Sequence, residues 1–312
     1  MTLRLRVERV AWLDHVHEVA RHHPGVIPVV KGNGYGFGRR DLAEIASSLS
    51  DTIAVGTVHE LADLPAGARP VVLTPTRRPP ADLHPILTVG SRHDVAALTG
   101  WQGRIVVKLA SSMRRFGVEP DGLGELMRAI RRADLDVAAF AVHPPLAGTD
   151  DEHIDDIARW LPVLGDDDEV WVSHLSRAGY HDLREAWPDR RFRIRLGTAL
   201  WHGDKSMLRL GADVLAVHAV RAGEPVGYRQ RSAPGDGWLV VIGAGSAHGV
   251  DLLADGRSPF HHDRRRLTLI EPPHMHTSMA FVPTGERGPD VGETVDVQRP
   301  LITTDVDEIR WT

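Results

Sequence analysis

The stretch IPVVKGNGYGFG, residues 27–38, holds the pattern that decides the fold. A short apolar, β-branched run delivers Lys31 and then breaks into Gly32, Gly34, Gly36 and Gly38. The segment behind it, Leu42–Leu49, carries apolar residues at helical spacing. Strand, chemistry-bearing turn and helix form one βα unit. The same unit recurs along the first 200 or so residues. Eight runs carry it: Ile27–Lys31, Thr52–Val58, Pro70–Pro75, Pro85–Gly90, Arg104–Ala110, Asp136–His143, Glu169–Ser176 and Arg191–Gly197. Leu123–Ala133 and Ile154–Leu164 read as helices between them. Alternating strands and helices predict a parallel sheet, and eight units predict an α/β fold of the TIM (β/α)8 type. A doubly wound open sheet stays as the alternative, because strand count does not prove closure.

Beyond about residue 210 the pattern changes. Val214–Val220, Trp238–Ile242, Leu267–Ile270, Met279–Val282 and Thr294–Gln298 are short runs separated by Gly/Pro/Asp-rich turns. They predict a small C-terminal all-β domain. The expected division is a barrel over 8–210 and a β domain over 211–312, with the alternating strand Leu3–Val7 joining the latter.

Composition narrows the function. The chain has 312 residues and a formal net charge of −5, which argues against a generally basic nucleic-acid footprint. It has no cysteine, which excludes disulfides, thiol nucleophiles and thiolate metal sites. No apolar run approaches the ~18 residues of a membrane span, and the N-terminus lacks a signal-like apolar core. A soluble cytoplasmic protein is expected. Eighteen histidines invite a metal reading, but no HExxH or carboxylate–histidine pattern appears, so no metal is expected. Lysine occurs only at Lys31, Lys108 and Lys205, and tyrosine only at Tyr35, Tyr180 and Tyr228. Lysine or tyrosine chemistry therefore has few candidates.

Barrel enzymes keep their chemistry at the C-terminal strand ends. Here those ends carry Lys31, Arg115, His143, Ser176 and Arg195. A lysine among apolar neighbours loses charge stabilisation and becomes a better nucleophile, which suits a Schiff-base lysine. The glycine spacing is not a dinucleotide fingerprint, and the lysine precedes the glycines, unlike a Walker loop.

VVKGNGYGFG resembles the pyridoxal-phosphate lysine segment of the alanine racemase family, fold type III. The resemblance continues in order along the chain. It includes VVKLASSMRRFGV (106–118), VHPP (142–145), SHLS (173–176), RIRLGTALWHG (193–203), AGEPVGYRQR (222–231) and HMHTSM (274–279). It implies a barrel plus β domain, in agreement with the pattern above, and pyridoxal 5'-phosphate as cofactor. The implied activity is an amino-acid racemase, alanine being the leading substrate, that supplies a D-amino acid as a cell-wall precursor.

By the same resemblance Lys31 carries the cofactor and serves as one acid/base, and Tyr228 is the opposite base. Tyr228 would come from the partner of a homodimer with shared sites. Arg115 and Met275 would face the substrate. Tyr35, Ser176, Gly197 and Thr198 would hold the phosphate, Arg195 the pyridine nitrogen, and His143 would lie beside the ring. Lys108 matches a lysine that some members carbamylate.

The chain departs from the family at Ala110, Ser112, Leu175, Trp201-His202 and His276. It also shows no equivalent of the family's final phosphate-binding tyrosine. A wider mouth or weaker phosphate grip is expected. Two other readings remain: a non-catalytic pyridoxal-phosphate carrier or regulator, and another fold-type III enzyme acting on a different amino acid.

Overall fold

The computed structural model describes residues 2–312. The chain divides into two compact units: residues up to Leu13 together with Asp204–Thr312, and Asp14–Gly203.

The Asp14–Gly203 unit holds eight parallel strands. They are β2 (Val26–Pro28), β3 (Thr52–Val55), β4 (Arg69–Val72), β5 (Ile86–Val89), β6 (Arg104–Lys108), β7 (Asp136–Ala141), β8 (Glu169–Ser173) and β9 (Arg191–Leu196). The hydrogen-bonded order is β2-β9-β8-β7-β6-β5-β4-β3. The two ends meet: Val29 bridges Ala54 in parallel, and the Val30 amide donates to the Ala54 carbonyl at 2.7 Å. The sheet is thus a closed TIM-type barrel, and the open-sheet alternative falls. Every residue of β3 and β5 is buried, as expected of strands covered on both faces.

The helices follow from local chemistry. α1 is Arg9–His22, α2 Arg39–Leu49, α3 Arg92–Ala97 and α4 Pro120–Arg132. α4 begins with Pro120, whose missing N–H is no loss in a first turn, and buries Leu123, Leu126 and Ile130. α5 (Asp150–Ala158) opens on a capping box between Thr149 and Glu152. α6 (Arg177–Ala186) is capped by Ser176, and α7 is Thr198–His202.

Two local expectations are corrected. The helix read over Ile154–Leu164 lies earlier, at Asp150–Ala158, and gives way to a 3-10 turn at Leu161–Val163. Pro162 has no amide to continue the α ladder. The first barrel strand ends at Pro28 rather than Lys31, so Lys31 sits in the loop beyond the sheet.

The other unit is antiparallel apart from one pair. β10 (Leu208–Val220) is its long central strand, pairing with β1 (Leu3–Val7), β13 (Gly237–Ile242) and β18 (Thr294–Val297). β1 also pairs in parallel with β19 (Glu308–Trp311). β14 (Phe260–His262), β15 (Arg265–Arg266), β16 (Thr268–Leu269) and β17 (Ser278–Pro283) complete that sheet. A separate hairpin pairs β11 (Pro225–Val226) with β12 (Arg231–Ser232). Among the described residues no helix is long and apolar enough to cross a membrane.

Candidate active site

Lys31 stands just past β2, where the chain turns through Gly32 and Gly34, both at positive φ. The loop is held from several sides. Trp201 Nε1 donates to the Val29 carbonyl at 2.9 Å, and His202 Nε2 lies 2.8 Å from the Tyr35 carbonyl. The Trp201-His202 pair, a departure from the family pattern, therefore fastens the lysine loop. Its aromatic types in RLGTALWHG were visible in the sequence, but their partners were not.

The Lys31 side chain is open to solvent, yet its amine pKa is lowered. Partial burial is the main cause, followed by repulsion from Arg115 and Arg195, with Glu60 opposing. Apolar neighbours alone, as the sequence suggests, do not account for the shift. The structure adds two cations.

Arg195 is buried on β9. It donates through Nη2 to the Val142 carbonyl at 2.6 Å, and burial beside Arg115 pushes it down to about 10. Arg115 is exposed, with its guanidinium 4.6 Å from the Phe116 ring centroid. Lys108, at the end of β6, is buried, and its Nζ has no hydrogen-bond partner. Burial, then Arg195 and Arg115, hold its pKa well below the ordinary lysine value.

His143 follows β7. Its Nδ1 lies 2.5 Å from Ser173 Oγ, and its pKa is strongly lowered by burial and then by Arg195. It is a neutral imidazole. His174, which sequence reasoning passed over, packs its ring 4.6 Å from that of His143. His174 has a φ of 60, unusual outside glycine, and its Nδ1 lies 3.0 Å from the Pro145 carbonyl. The SHLS motif carries His174 directly after the strand, the one sequence signal that points to it.

Tyr35 is buried at positive φ, and burial raises its hydroxyl pKa to about 12. Its hydroxyl lies against Gly197, which precedes α7. Thr198 is the first residue of α7 and is exposed. Ser176 sits at the start of α6, but its donors are already engaged. Its amide donates to Asp150 Oδ1 at 2.8 Å, and its hydroxyl bonds Asp150 Oδ2. A carboxylate thus lies where the resemblance implies a phosphate.

In the other unit Tyr228 is 87% exposed and Met275 67%. Tyr228 lies in the turn between β11 and β12. The Met275 carbonyl accepts from the Ala247 amide at 2.8 Å, so the glycine-rich turn GAGSAHG at 243–249 closes on the segment that carries Met275.

The model of the alanine racemase N-terminal domain matches residues 9–203, more than half of the chain. The chain belongs to the alanine racemase family. It is an isomerase by family, and the family's cofactor is pyridoxal phosphate. The alanine racemase of Mycolicibacterium vanbaalenii is 30% identical over 295 residues, covering 81% of this chain and 74% of that protein. That of Mycobacterium tuberculosis is 28% identical over 284 residues, covering 78% and 73%. Among solved structures, the alanine racemase of Bartonella henselae with covalently bound pyridoxal phosphate superposes with a TM-score of 0.75. It is 17% identical and covers 99% of each chain. The Streptomyces coelicolor alanine racemase gives 0.75 at 18% identity, covering 99% of this chain and 97% of its own. At such identity these structures speak for the fold.

The rim of this family barrel suits the cofactor in its donor chemistry. An amine with a lowered pKa is a competent carbonyl nucleophile. Buried Arg195 and exposed Arg115 give the rim a cationic character that favours an anionic phosphate or carboxylate.

Proposed function

We propose that this protein is a pyridoxal-phosphate-dependent alanine racemase. It would interconvert L- and D-alanine by two bases, Lys31 and Tyr228. The observation that carries the reading is the Lys31 amine, depressed by burial and by Arg115 and Arg195 at the C-terminal rim of the family barrel.

Lys31 would hold the cofactor covalently. Tyr35, Gly197, Thr198 and Ser176 would take its phosphate end, Arg195 its ring nitrogen, and His143 would lie beside the ring. When bound, the cofactor withdraws electrons from the substrate's Cα and makes the α-proton acidic. The chain's own residues do the rest. Arg115 pairs with the substrate carboxylate. Lys31 Nζ, set free when the substrate amine takes its place, accepts or returns the proton on one face of Cα. The Tyr228 hydroxyl does the same on the other face, and inversion results. Arg195 keeps its proton even when buried, since a guanidinium near 10 stays charged at neutral pH. It would therefore donate a hydrogen bond to the ring nitrogen without giving up its proton. Met275 would approach the substrate through its backbone.

We extend the proposal to a homodimer with shared sites, working in the cytoplasm to supply D-alanine for cell-wall precursors. The exposure of Tyr228 and Met275 supports this, since residues that complete a partner's site stand open in a single copy.

The test is α-proton exchange in deuterated water with the cofactor-loaded protein and a panel of L-amino acids. Product chirality and deuterium content are read by mass spectrometry. Exchange with inversion on alanine, lost in Lys31→Ala and Tyr228→Phe, is the expected result. No exchange on any amino acid, with the cofactor still attached by absorbance, would sink the racemase reading and favour a carrier.

A further inference from the structure

Tyr228 is an exposed residue on a short hairpin turn, yet its backbone is tied down by a buried carboxylate. Glu271, 4% exposed, lies 43 residues further along the chain. Its Oε1 accepts from the Tyr228 amide at 2.7 Å and its Oε2 from the Arg229 amide at 3.0 Å. Gly227 makes this approach possible. It has a φ of 74, and a Cβ there would stand 2.3 Å from Glu271 Oε1.

The same Oε1 lies 2.6 Å from His274 Nε2. The His274 ring in turn meets the Tyr228 ring nearly at right angles, with centroids 4.9 Å apart. His274 is itself fixed by its backbone. Its amide donates to the Thr277 carbonyl at 2.8 Å, and its carbonyl accepts from Ser246 at 2.8 Å. Glu271 and His274 thus hold Tyr228 at two points, one on the backbone and one on the ring.

A buried carboxylate without partners is costly, and this one has three donors. Burial would raise its pKa, but the bonds from His274, Arg229 and Tyr228 outweigh that and lower it, so Glu271 is ionised. The arrangement is more than a turn needs. The β11–β12 hairpin has two residues in each strand. Such a hairpin is marginal alone, and an exposed tyrosine on it would sample many positions. Proton transfer tolerates little misplacement, about 1 Å costing about a hundredfold.

We propose that Glu271 and His274 are positioning residues that hold Tyr228 in the geometry for proton transfer at Cα. The inference rests on Tyr228 being the second base. The step they serve moves one proton from Cα to one base while the other base delivers one on the opposite face. No oxidant or reductant is consumed.

The test compares inversion with exchange in deuterated water, using the cofactor-loaded Glu271→Gln, His274→Gln and Tyr228→Phe proteins and each alanine enantiomer. One enantiomer presents its α-proton to Lys31. With it, exchange without inversion should persist in all three variants. Inversion should fall about tenfold or more in E271Q and H274Q, with KM for alanine within about twofold of wild type. A merely structural role would lower exchange and inversion together and leave their ratio unchanged. That unchanged ratio in E271Q and H274Q, with inversion lost in Y228F, overturns the positioning role and leaves Tyr228 as base. Undiminished inversion in Y228F overturns the Tyr228 reading itself. Should E271Q fail to fold, H274Q decides, because His274 is partly exposed and leaves the buried carboxylate in place.

Discussion

Tyr35 and Gly197 share one space: a Cβ on Gly197 would stand 2.0 Å from the Tyr35 hydroxyl oxygen. The tyrosine cannot retreat easily. It is 6% exposed, it holds a φ of 56, and His202 stands against its carbonyl. Gly197→Ala should therefore destabilise the barrel unit by about 1–3 kcal/mol, the usual cost of overpacking. It should also weaken cofactor attachment. Thermal melting and cofactor absorbance measure the two effects, and an unchanged melting temperature would count against the fit.

Arg115 lowers the Lys31 pKa by repulsion, second only to burial. Removing that cation moves the amine back toward its ordinary value, so less free amine is present at neutral pH. Arg115→Gln should shift the pH midpoint of covalent cofactor attachment upward. Stopped-flow absorbance across the alkaline range reads it. A midpoint that stays put would remove Arg115 from the electrostatics of the lysine.

Lys108 is buried with no partner for its amine, and its folded-state pKa lies well below the unfolded value. The unfolded chain then binds more protons over that window. Stability should rise with pH up to the ordinary lysine value and fall as pH drops through the window. Lys108→Met, of similar volume, should stabilise the apo protein at neutral pH by about 1–3 kcal/mol. The advantage over wild type should shrink as pH climbs toward 10.5, the ordinary lysine value. Denaturant melts at several pH values check both sign and trend. A destabilised variant would mean that the amine has a partner, such as a carbamyl group it carries itself.

Asp150 is ionised, because hydrogen bonds from Ser176 outweigh partial burial, and it takes both the Ser176 amide and hydroxyl. If the cofactor phosphate uses Ser176, it must displace this carboxylate. Asp150→Ala should then tighten cofactor binding about tenfold, about 1.4 kcal/mol. Titration by absorbance gives the Kd. Equal or weaker binding would place the phosphate away from Ser176. The Thr149–Glu152 capping box stays intact in this variant and protects the start of α5.

The barrel was legible because most of its strands are short runs rich in apolar and β-branched residues, such as β3, β5 and β6, and the polar segments between them are long enough for helices. Those are local properties, and burial on both faces imposes them on strands such as β3 and β5. Closure was not legible, since it depends on Val29 meeting Ala54 across the first and last edges of the sheet. The helix at Asp150–Ala158 begins and ends earlier than apolar spacing alone predicts, for local reasons. The capping box at Thr149 starts the helix early, and Pro162 prevents its extension.

The candidate residues show the same division. Lys31, Arg115, Tyr228 and Arg195 could be picked out by type, rarity and their place in recognisable motifs. Their surroundings could not. Ser176 faces Asp150 from 26 residues away, Tyr228 hangs on Glu271, and His143 lies against Ser173 and His174. By itself the sequence determined the order of strands and helices, the family, and the few side chains able to do the chemistry. Apolar periodicity and motif order are written residue by residue. Only the tertiary structure decided what each of those side chains touches. Charge, burial and hydrogen bonding come from residues far apart in the chain, and these set the acidity of Lys31 and the fixity of Tyr228.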